Sequence, residues 1–585
     1  MAMAEKNIEE IGHTLAHLTV AAVRELWPGS QNAIGPAIEN GFYQDFEIAG
    51  TITDADLPKI EAKMRELLPK WTGFEKREVS KEEALKEFAW NKYKCELIEE
   101  FAGEGKKITF HNAPGLVDLC KGGHTDNPAK DIAPDSFTLD RVTDAYWRGD
   151  TKNKKLTRIY GLAFPSKQQL DAYLLRREQA KKRDHKILGK ELDLFTFSDS
   201  VGKGLPLWTA KGSAIRRELE RFIVDEEIRR GYQHVYTPDI AKLDLYRKSG
   251  HYPHYQDSMY APIVIDDEEF MLRPMTCPHH FELYLDKPHS YRELPLRIAE
   301  LAKLYRYEQS GELMGLQRVR SFCLADAHII CASDEQAAEE VTKALDLIVY
   351  VAGVFGLKQG TDYRFRLSLG DRANTEKYYK NDAAWEKGES LLRALLKKRG
   401  EDFEEAKDEA AFYGPKIDVQ MKNANGKEDT AFTVQYDFCM PDKFDLTYTG
   451  EDGKQHRAFV VHRSSIGAIE RIVAFLIEHY AGAFPLWLSP VQAKILPVSE
   501  KHAAYAEEIV EHLRSVDIRV ELSADDSLGK RIRAAKLEKV PYVLVVGDAE
   551  VEAKTATLEG RAGKIGALPI ADIIAKLKEE IRTRA

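Results

Sequence analysis

The feature that most constrains the fold is a series of strand-like segments in the middle of the chain. Five of them alternate apolar and polar residues between positions 269 and 465: EFMLRPM, SFCLADAHII, KIDVQMK, TAFTVQYDF and RAFVVHRSS. Charged helical patterns such as AIRRELERFIVDEEIRRGY accompany them. Sequential strands with polar alternation favour an antiparallel sheet surrounded by helices. We therefore expect an α+β domain with a largely antiparallel sheet over residues 191–486.

The regions on either side predict further domains. Residues 1–162 mix helix and strand patterns, with a helix over Ile8–Leu26 and a strand–turn–strand at IGPAIENGFYQDFEI. Residues 163–190 contain SKQQLDAYLLRREQAKKRDHKILGK, which predicts one basic linker helix capped by Ser166. This helix is either a solvated connector or one that also touches RNA phosphates. Beyond SPV, residues 487–585 alternate strands and helices, as in a small α/β domain.

Composition narrows the class of protein. The 585 residues are 43% hydrophobic and 31% charged, which is typical of a globular chain. No apolar run reaches the roughly 20 residues that a membrane helix needs, and no secretory signal is present. The six cysteines lack the regular spacing of a disulfide framework. We expect a cytoplasmic enzyme whose net charge of −10 leaves room for local basic surfaces.

Two short motifs in the first domain carry metal-capable side chains. IGHTLAH contains His13 and His17, and CKGGH contains Cys120 and His124. Three histidines and a cysteine are a plausible zinc set. A zinc protease helix would read H-E-x-x-H, whereas Thr14 follows His13 here. His13 and His17 also lie off the apolar stripe of their helix, so burial in that core does not explain them. A metal site, a metal-free hydrolytic site and four unrelated residues all remain possible.

A second set lies in the central domain. Cys277, His328 and His462 each stand in or beside an apolar, strand-like run. An unpaired imidazole in such a place is costly, so each needs a partner. Spacing alone leaves two interpretations, a zinc site and satisfied core histidines, of which the second is the commoner in proteins.

The segments around these residues resemble a known family. LYRYEQSGEL with GLQRVRSF is similar to motif 2 of the class II aminoacyl-tRNA synthetases, GAIERI to motif 3, and GYQHVYTPDI to motif 1. AYWRGDTKNKKLTRIYG, RDHKILGK, LPLRIAE, AFYGPKI and PVQAKILPVS extend the resemblance to the threonyl-tRNA synthetases, from about residue 8 onward. The bacterial members usually begin with a small ubiquitin-like domain, which this sequence does not show.

The resemblance implies an α+β multidomain protein. Its parts would be an editing domain, a linker helix, a class II catalytic core and a C-terminal anticodon-binding domain. The implied activity is ATP-dependent activation of L-threonine, transfer to tRNA(Thr), and hydrolysis of mischarged seryl-tRNA(Thr). The implied cofactors are one Zn²⁺ per subunit and Mg²⁺ with ATP. A homodimer without membrane attachment is expected.

It also implies roles for individual residues. Arg306, Lys416 and Arg471 would act in catalysis, because guanidinium and ammonium groups stabilise phosphate charge. ATP would contact Arg306, Glu308, Arg318, Phe322, Gln435 and Arg471. Threonine would contact Asp326 and Tyr413, and zinc would be held by Cys277, His328 and His462. The editing pocket would comprise His13, His17, Lys94, Asp118, Cys120 and His124. Glu552 and Arg561 would read anticodon bases.

The two implied sites would reject two different wrong amino acids, valine and serine. An apolar pocket separates threonine from valine poorly, whereas a metal with an open position binds an amino and a hydroxyl group together. Serine carries both groups, so a hydrolytic editing site is needed as well. The alternatives are a prolyl or seryl synthetase, which the zinc set disfavours, and an inert RNA-binding paralogue, which the three arginines disfavour.

Several positions depart from the family's usual residues. Thr276 and His279 stand in MTCPHH, and Leu324, Thr430 and Ala468 replace polar residues. We expect each of the five to lie behind the residues that contact the substrates or at the periphery of the site, although Leu324 removes a polar contact near the reacting phosphate.

Overall fold

The computed structural model describes residues 2–309, 311–424 and 426–584, with side chains from residue 8 onward. It forms two compact units, residues 1–178 and 179–585. Within the described residues, no helix is both long and apolar enough to cross a membrane.

The first unit is built on the helix Ala2–Leu26, which packs against a five-stranded antiparallel sheet. The sheet order is Gln31–Asn32, Gly41–Glu47, Lys155–Ala163 and Phe137–Tyr146, with Ala37–Ile38 also paired to Gly41–Glu47. A smaller sheet contains Glu75–Glu78, Thr109–Ala113 and Leu116–Leu119. The other helices are Leu57–Leu67, Lys81–Glu87, Lys92–Gly103 and Pro128–Asp131.

The first helix confirms its predicted apolar stripe. Ile11, Leu15, Leu18 and Ala22 are buried, as the apolar stripe predicts. His17, off this stripe, is also buried at 6% exposed, with its Nδ1 3.1 Å from the Asp118 carboxylate. The helix is covered on several sides from Ile11 to Val23, so a stripe count underestimates how much of it is buried.

The prediction of a single basic linker helix is wrong. The segment forms two helices, Lys167–Arg183 and His185–Glu191. Asp184 leaves the helical conformation with ψ of 119°, and its carboxylate caps the second helix by accepting the backbone N–H of Lys186. Ser166 does cap the first helix, because its Oγ accepts the N–H of Gln169 at 3.4 Å.

An eight-stranded sheet organises the second unit. Its order is Gln233–His234, Leu296–Tyr305, Ser321–Cys331, Phe459–Ala468, Glu428–Asp437, Lys416–Lys422, Tyr363–Leu369 and Phe403–Lys407. The five internal pairings are antiparallel, as predicted, and the pairing at each end is parallel. The helices of this core are Ala210–Arg229, Leu243–Ser249, His251–His254, Cys277–Leu285, Asp334–Val354, Asp382–Arg399, Met440–Phe444 and Ile469–His479. Its largest cluster of buried apolar residues joins this sheet to helices Asp334–Val354 and Ile469–His479.

The segment EFMLRPM does not join this sheet. Its strand, Glu268–Leu272, pairs instead with Ile240–Lys242 and Ile263–Ile265. Two further pairs of short strands are Phe195–Thr196 with Leu207–Trp208 and Thr447–Thr449 with Gln455–Arg457.

The end of the chain forms the predicted α/β arrangement. Strand Ala493–Pro497 lies parallel to both Val520–Leu522 and Tyr542–Val546. Strands Thr555–Gly560 and Gly563–Pro569 extend the sheet in antiparallel fashion. The helices are Ala503–Arg514, Leu528–Leu537, Asp548–Ala553 and Ile570–Thr583.

Candidate active site

Three neighbouring strands bring the central cysteine–histidine set together. His328 on Ser321–Cys331 pairs directly with His462 on Phe459–Ala468, and His462 pairs with Gln435 on Glu428–Asp437. Directly opposed residues of antiparallel strands share one face of the sheet. Cys277 begins helix Cys277–Leu285. The candidate ligand atoms of Cys277, His328 and His462 lie within 4.8 Å of one another, and all three residues are buried.

Polar neighbours orient both imidazoles. His462 Nε2 lies 2.7 Å from the Asp437 carboxylate, and His328 Nδ1 lies 2.8 Å from Nδ1 of His280. His280 in turn reaches Glu300 at 3.3 Å. Partners of this kind fix the ring orientation of metal-binding histidines, so the second nitrogen of each ring is the candidate ligand. Sequence reasoning missed Asp437 and His280, which only the folded chain places beside the ligands.

Burial and neighbouring charges oppose ionisation of Cys277 and His328. Burial raises the pKa of the Cys277 thiol well above 9, with Asp326 and Asp437 acting in the same direction. It lowers the pKa of His328, where His462 and His280 add to the effect. A thiol and two imidazoles this close together form a donor set that suits a zinc ion, whose positive charge would stabilise the Cys277 thiolate.

The cluster lies at one wall of a cleft that contains about 1000 Å³ of open space. The predicted ATP and threonine residues that also line it are Arg306, Glu308, Arg318, Phe322, Asp326, Tyr413, Gln435 and Arg471. Arg306 and Glu308 follow strand Leu296–Tyr305, and Arg318 precedes the next strand. Lys416, which is also predicted to act on ATP, does not line the cleft. Its ammonium lies 3.0 Å from the Asp418 carboxylate.

The arginines make the cleft a site for anions. Burial lowers the pKa of both Arg306 and Arg471, and for Arg471 the neighbouring charges of Arg306 and Arg318 add to this. Arg471, on helix Ile469–His479, donates to the carbonyls of Gln317 and Thr430 at 3.1 and 2.7 Å. The Arg306 guanidinium lies 5.3 Å from the centre of the Phe322 ring. Converging cations that repel one another are stabilised when a polyanion binds between them.

The expectation that the unusual residues are peripheral is wrong for four of them. Thr276, Leu324, Thr430 and Ala468 all line the cleft. Leu324 and Ala468 face each other across neighbouring strands, beside an irregularity in the register. His279 is buried but is outside the lining. The sequence alone does not reveal the pairing of Leu324 with Ala468, because their two strands are more than 100 residues apart in the chain.

A second candidate site lies in the first unit. His13, His17, Cys120 and His124 place one candidate ligand atom each within 4.8 Å of the others. Cys120 Sγ is 3.4 Å from the Nε2 atoms of both His13 and His124, and it accepts the N–H of Gly122 at 3.3 Å. Phe74 stacks on the His124 ring with centroids 4.0 Å apart.

Buried charges support this second site from behind. Asp118 lies 2.7 Å from the Lys94 ammonium and 3.1 Å from His17 Nδ1, and all three residues are buried. Burial opposes ionisation of Asp118, but Lys94 and His17 keep its pKa below the ordinary value. Hydrogen bonds with His124, His13 and His17 overcome burial and lower the pKa of Cys120. The lowered pKa of Cys120 favours a thiolate among the three histidines, with the Asp118 carboxylate and the Lys94 ammonium beside it.

The predicted anticodon residues have different surroundings. Glu552 is exposed on helix Asp548–Ala553. Arg561 donates to the backbone carbonyls of Phe484 at 2.7 Å, Ala483 at 3.1 Å and Lys539 at 3.0 Å. Its guanidinium is thus already engaged by the main chain.

Comparison with known proteins identifies the family. Residues 262–480 match the model of the class II tRNA synthetase core domain (G, H, P, S and T), and residues 492–580 match the anticodon binding domain. The chain is 48% identical over 581 residues to the threonine–tRNA ligase of Geobacillus sp. (strain WCH70), covering 98% of this chain and 89% of that protein. The chain belongs to the threonine–tRNA ligase family.

Other relatives agree. Threonine–tRNA ligase 1 of Bacillus subtilis (strain 168) is 48% identical over 94% of this chain and 85% of its own length. The solved structure described as the RNA binding domain of threonyl-tRNA synthetase from Cryptosporidium parvum has a TM-score of 0.64 and 35% identity. It covers 68% of this chain and 98% of that one. The family and fold class predicted from the motifs are thereby confirmed.

Proposed function

We propose that this member of the threonine–tRNA ligase family activates L-threonine with ATP in the central cleft and transfers it to the 3′ end of tRNA(Thr). One observation carries the proposal: a buried Cys277–His328–His462 set shares a cleft with Arg306, Arg318 and Arg471. Such a cleft offers a place for an amino acid beside a place for a triphosphate.

The arginines and their neighbours would position ATP together with its Mg²⁺. Arg306 suits the α-phosphate and the threonine carboxylate, because a guanidinium fork binds both anions. Arg318 and Arg471 would hold the outer phosphates. Glu308, Phe322 and Gln435 would bind the nucleotide, with adenine between the Phe322 ring and Arg471. Holding both reactants in line and stabilising the charge that develops account for most of the catalysis in this reaction class.

The residues present fit a zinc ion at Cys277, His328 and His462, one per subunit. When bound, the ion supplies an open coordination position that an amino and a hydroxyl group fill together, which valine cannot do. Asp326 would accept a hydrogen bond from the threonine hydroxyl, and Tyr413 would lie near the amino group of threonine. The Tyr413 hydroxyl donates to Gln435 at 2.6 Å, which fixes its direction.

We propose that the first unit edits seryl-tRNA(Thr) without a metal. The thiolate character of Cys120 and the ion pair of Lys94 with Asp118 favour a hydrolytic pocket, where His13, His17 or His124 orients water. Lys94 would steady the ester or its oxyanion. A structural zinc at His13, His17, Cys120 and His124 is the competing function, which the convergence of all four side chains favours.

The proposed division is editing at 1–162, linker at 163–190, catalysis at 191–486 and anticodon binding at 487–585, where Glu552 and Arg561 would contact bases. Exposed apolar side chains near motif 1, Ile228 at 54% and Tyr236 at 93%, support a homodimer. All six cysteines are free, which suits a reducing, cytoplasmic setting.

The experiment is ATP–pyrophosphate exchange with each amino acid, combined with a metal count on the same preparation. Exchange that depends on threonine, with one zinc per chain, supports the proposal. Activity with proline or serine instead would refute it, as would silence with all amino acids.

A further inference from the structure

One buried histidine outside these sites touches the loop that carries cleft residues. His185 begins helix His185–Glu191, within RDHKILGK, and is 1% exposed. Its imidazole contacts Glu478 and the backbone of Leu316. Leu316 and its neighbours Gln317 and Arg318 all line the cleft, so the contact connects the linker segment to the nucleotide site.

The two ring nitrogens have different partners. Nδ1 lies 2.7 Å from the Glu478 carboxylate, and Nε2 accepts the N–H of Leu316 at 3.2 Å. Since a carboxylate accepts, Nδ1 carries the proton and Nε2 offers its lone pair. Gly315 allows this approach: its φ is +51°, and a Cβ there would lie 2.2 Å from Nε2. The neutral ring therefore holds one backbone amide of the loop.

Glu478 connects the same histidine to the other side of the cleft. It lies on helix Ile469–His479, which also carries Arg471. Arg471 donates to the carbonyl of Gln317 at 3.1 Å. The loop is thus held at two consecutive residues, at Leu316 by His185 and at Gln317 by Arg471, and both attachments depend on one helix.

A cation site is the main alternative. Asp184, His185 and Glu478 place one potential ligand atom each within 4.8 Å of the others. Both nitrogens of His185 are already used, one as a donor to Glu478 and one as an acceptor for Leu316, so the neutral ring has no lone pair left for an ion. Hydrogen bonding explains the cluster without a metal.

We propose that His185 is a positioning residue for ATP. Its Nε2 fixes the backbone at Leu316, so that Arg318 and Arg471 meet the phosphates in a single geometry. The inference rests on the proposed function, because it assumes that these arginines bind ATP. Small displacements of such groups reduce binding and rate strongly.

Two conservative substitutions separate the ring nitrogens. The amide of His185→Asn reaches the Nδ1 position and keeps the bond to Glu478, whereas that of His185→Gln reaches the Nε2 position and keeps an acceptor for Leu316. In threonine-dependent ATP–pyrophosphate exchange, we expect His185→Asn to raise the KM for ATP on the order of tenfold and the KM for threonine less than about twofold. His185→Gln should recover most of the ATP affinity.

His289 supplies a matched control. It is buried, its Nδ1 lies 2.9 Å from Glu293 and its Nε2 lies 3.0 Å from the carbonyl of Tyr284, but it is outside the cleft lining. We expect His289→Asn and His289→Gln to change thermal stability without a selective change in the KM for ATP. Hydrogen exchange gives a direct measurement, since the amide of Leu316 should exchange faster in His185→Asn than in the wild type.

Equal losses in His185→Asn and His185→Gln, confined to kcat, would overturn the proposal, as would unchanged exchange at Leu316. If the wild-type chain shows no threonine-dependent ATP–pyrophosphate exchange, the proposed function is refuted. This outcome differs from a failure of the His185 proposal, because it is seen before any variant is tested.

Discussion

At the scale of single residues, two similar sets of side chains differ in their charge environment. Cys277 is buried with its pKa raised by burial, while the pKa of Cys120 is lowered by imidazole hydrogen bonds. A thiol that stays neutral without a cation suits a metal ligand, and a thiolate stabilised by the protein itself needs no metal. We therefore expect the same residue types to serve two different chemistries in the two sites.

The first prediction concerns metal content. Cys277→Ala should lose the zinc and reduce threonine activation by at least about 100-fold, because a ligand is removed from a three-residue site. Cys120→Ala should keep one zinc and full activation. Metal analysis with ATP–pyrophosphate exchange measures both, and a second zinc that disappears in Cys120→Ala would contradict the metal-free editing site.

The second prediction concerns pH. Burial alone would lower the pKa of His17, but Asp118 and Cys120 raise it from 6.5 to about 9. The charged ring therefore stabilises the fold below pH 6.5, and this contribution is lost as the pH rises through about 9. We expect urea denaturation of the first unit to show a loss of up to about 3 kcal/mol over that range.

His17→Gln is the control for this pH effect. Its amide does not titrate, so the free energy of unfolding should change much less between neutral and alkaline pH. An identical alkaline loss in wild type and variant would contradict the assignment to His17.

At the scale of elements, strand geometry determines the site. His328, His462 and Gln435 come together because three antiparallel strands place them in register. Beside them, Gly467 has a φ of +70°, and a Cβ there would lie 2.2 Å from the carbonyl oxygen of Ala431. This glycine lets the strand Phe459–Ala468 turn into the helix that carries Arg471.

The third prediction tests that turn. Gly467→Ala should destabilise the second unit by more than about 1 kcal/mol, since the residue combines a positive φ with a backbone clash. It should also raise the KM for ATP through displacement of Arg471. Gly529→Ala is the matched control, because Gly529 lies in helix Leu528–Leu537 with open space around its Cα, and alanine favours helix by up to about 1 kcal/mol. Equal melting curves for wild type and Gly467→Ala would refute the strain.

At the scale of the whole molecule, Arg561 connects the last domain to the end of the catalytic core. Its guanidinium binds the carbonyls of Ala483 and Phe484 just before the domain, and that of Lys539 within it. This arrangement favours a structural role and leaves the base-reading role as a prediction. Glu552, exposed on its helix, has no such constraint among the contacts that the structure describes.

The fourth prediction separates the two roles. Arg561→Ala should destabilise the chain by about 1–2 kcal/mol, because four charge-assisted hydrogen bonds to three backbone carbonyls are lost from a partly exposed group. Glu552→Ala should leave the melting curve unchanged and raise the KM for tRNA(Thr) in aminoacylation. If Arg561→Ala instead melts like the wild type and loses tRNA binding alone, its role is recognition.

The sequence by itself determined the family, the central antiparallel strands, the α/β end of the chain and both cysteine–histidine sets. These depend on local patterns, namely period-two alternation, helical spacing and ordered motifs, which a linear reading detects. Eleven of the predicted site residues, from Cys277 to Arg471, line one cleft, while their roles stay predictions.

Only the tertiary structure decided which residues support the predicted site residues. Asp437, His280 and His185 act through contacts with distant segments, and Leu324 with Ala468 reaches the cleft wall through cross-strand pairing. The helix breaks at Asp184 because the side chain of this residue caps the next helix, which overrides helical propensity. The guanidinium of Arg561 binds the carbonyl of Phe484, a residue far along the chain. Such contacts have no fixed spacing in sequence, because packing brings them together only once the sheet and helices have formed.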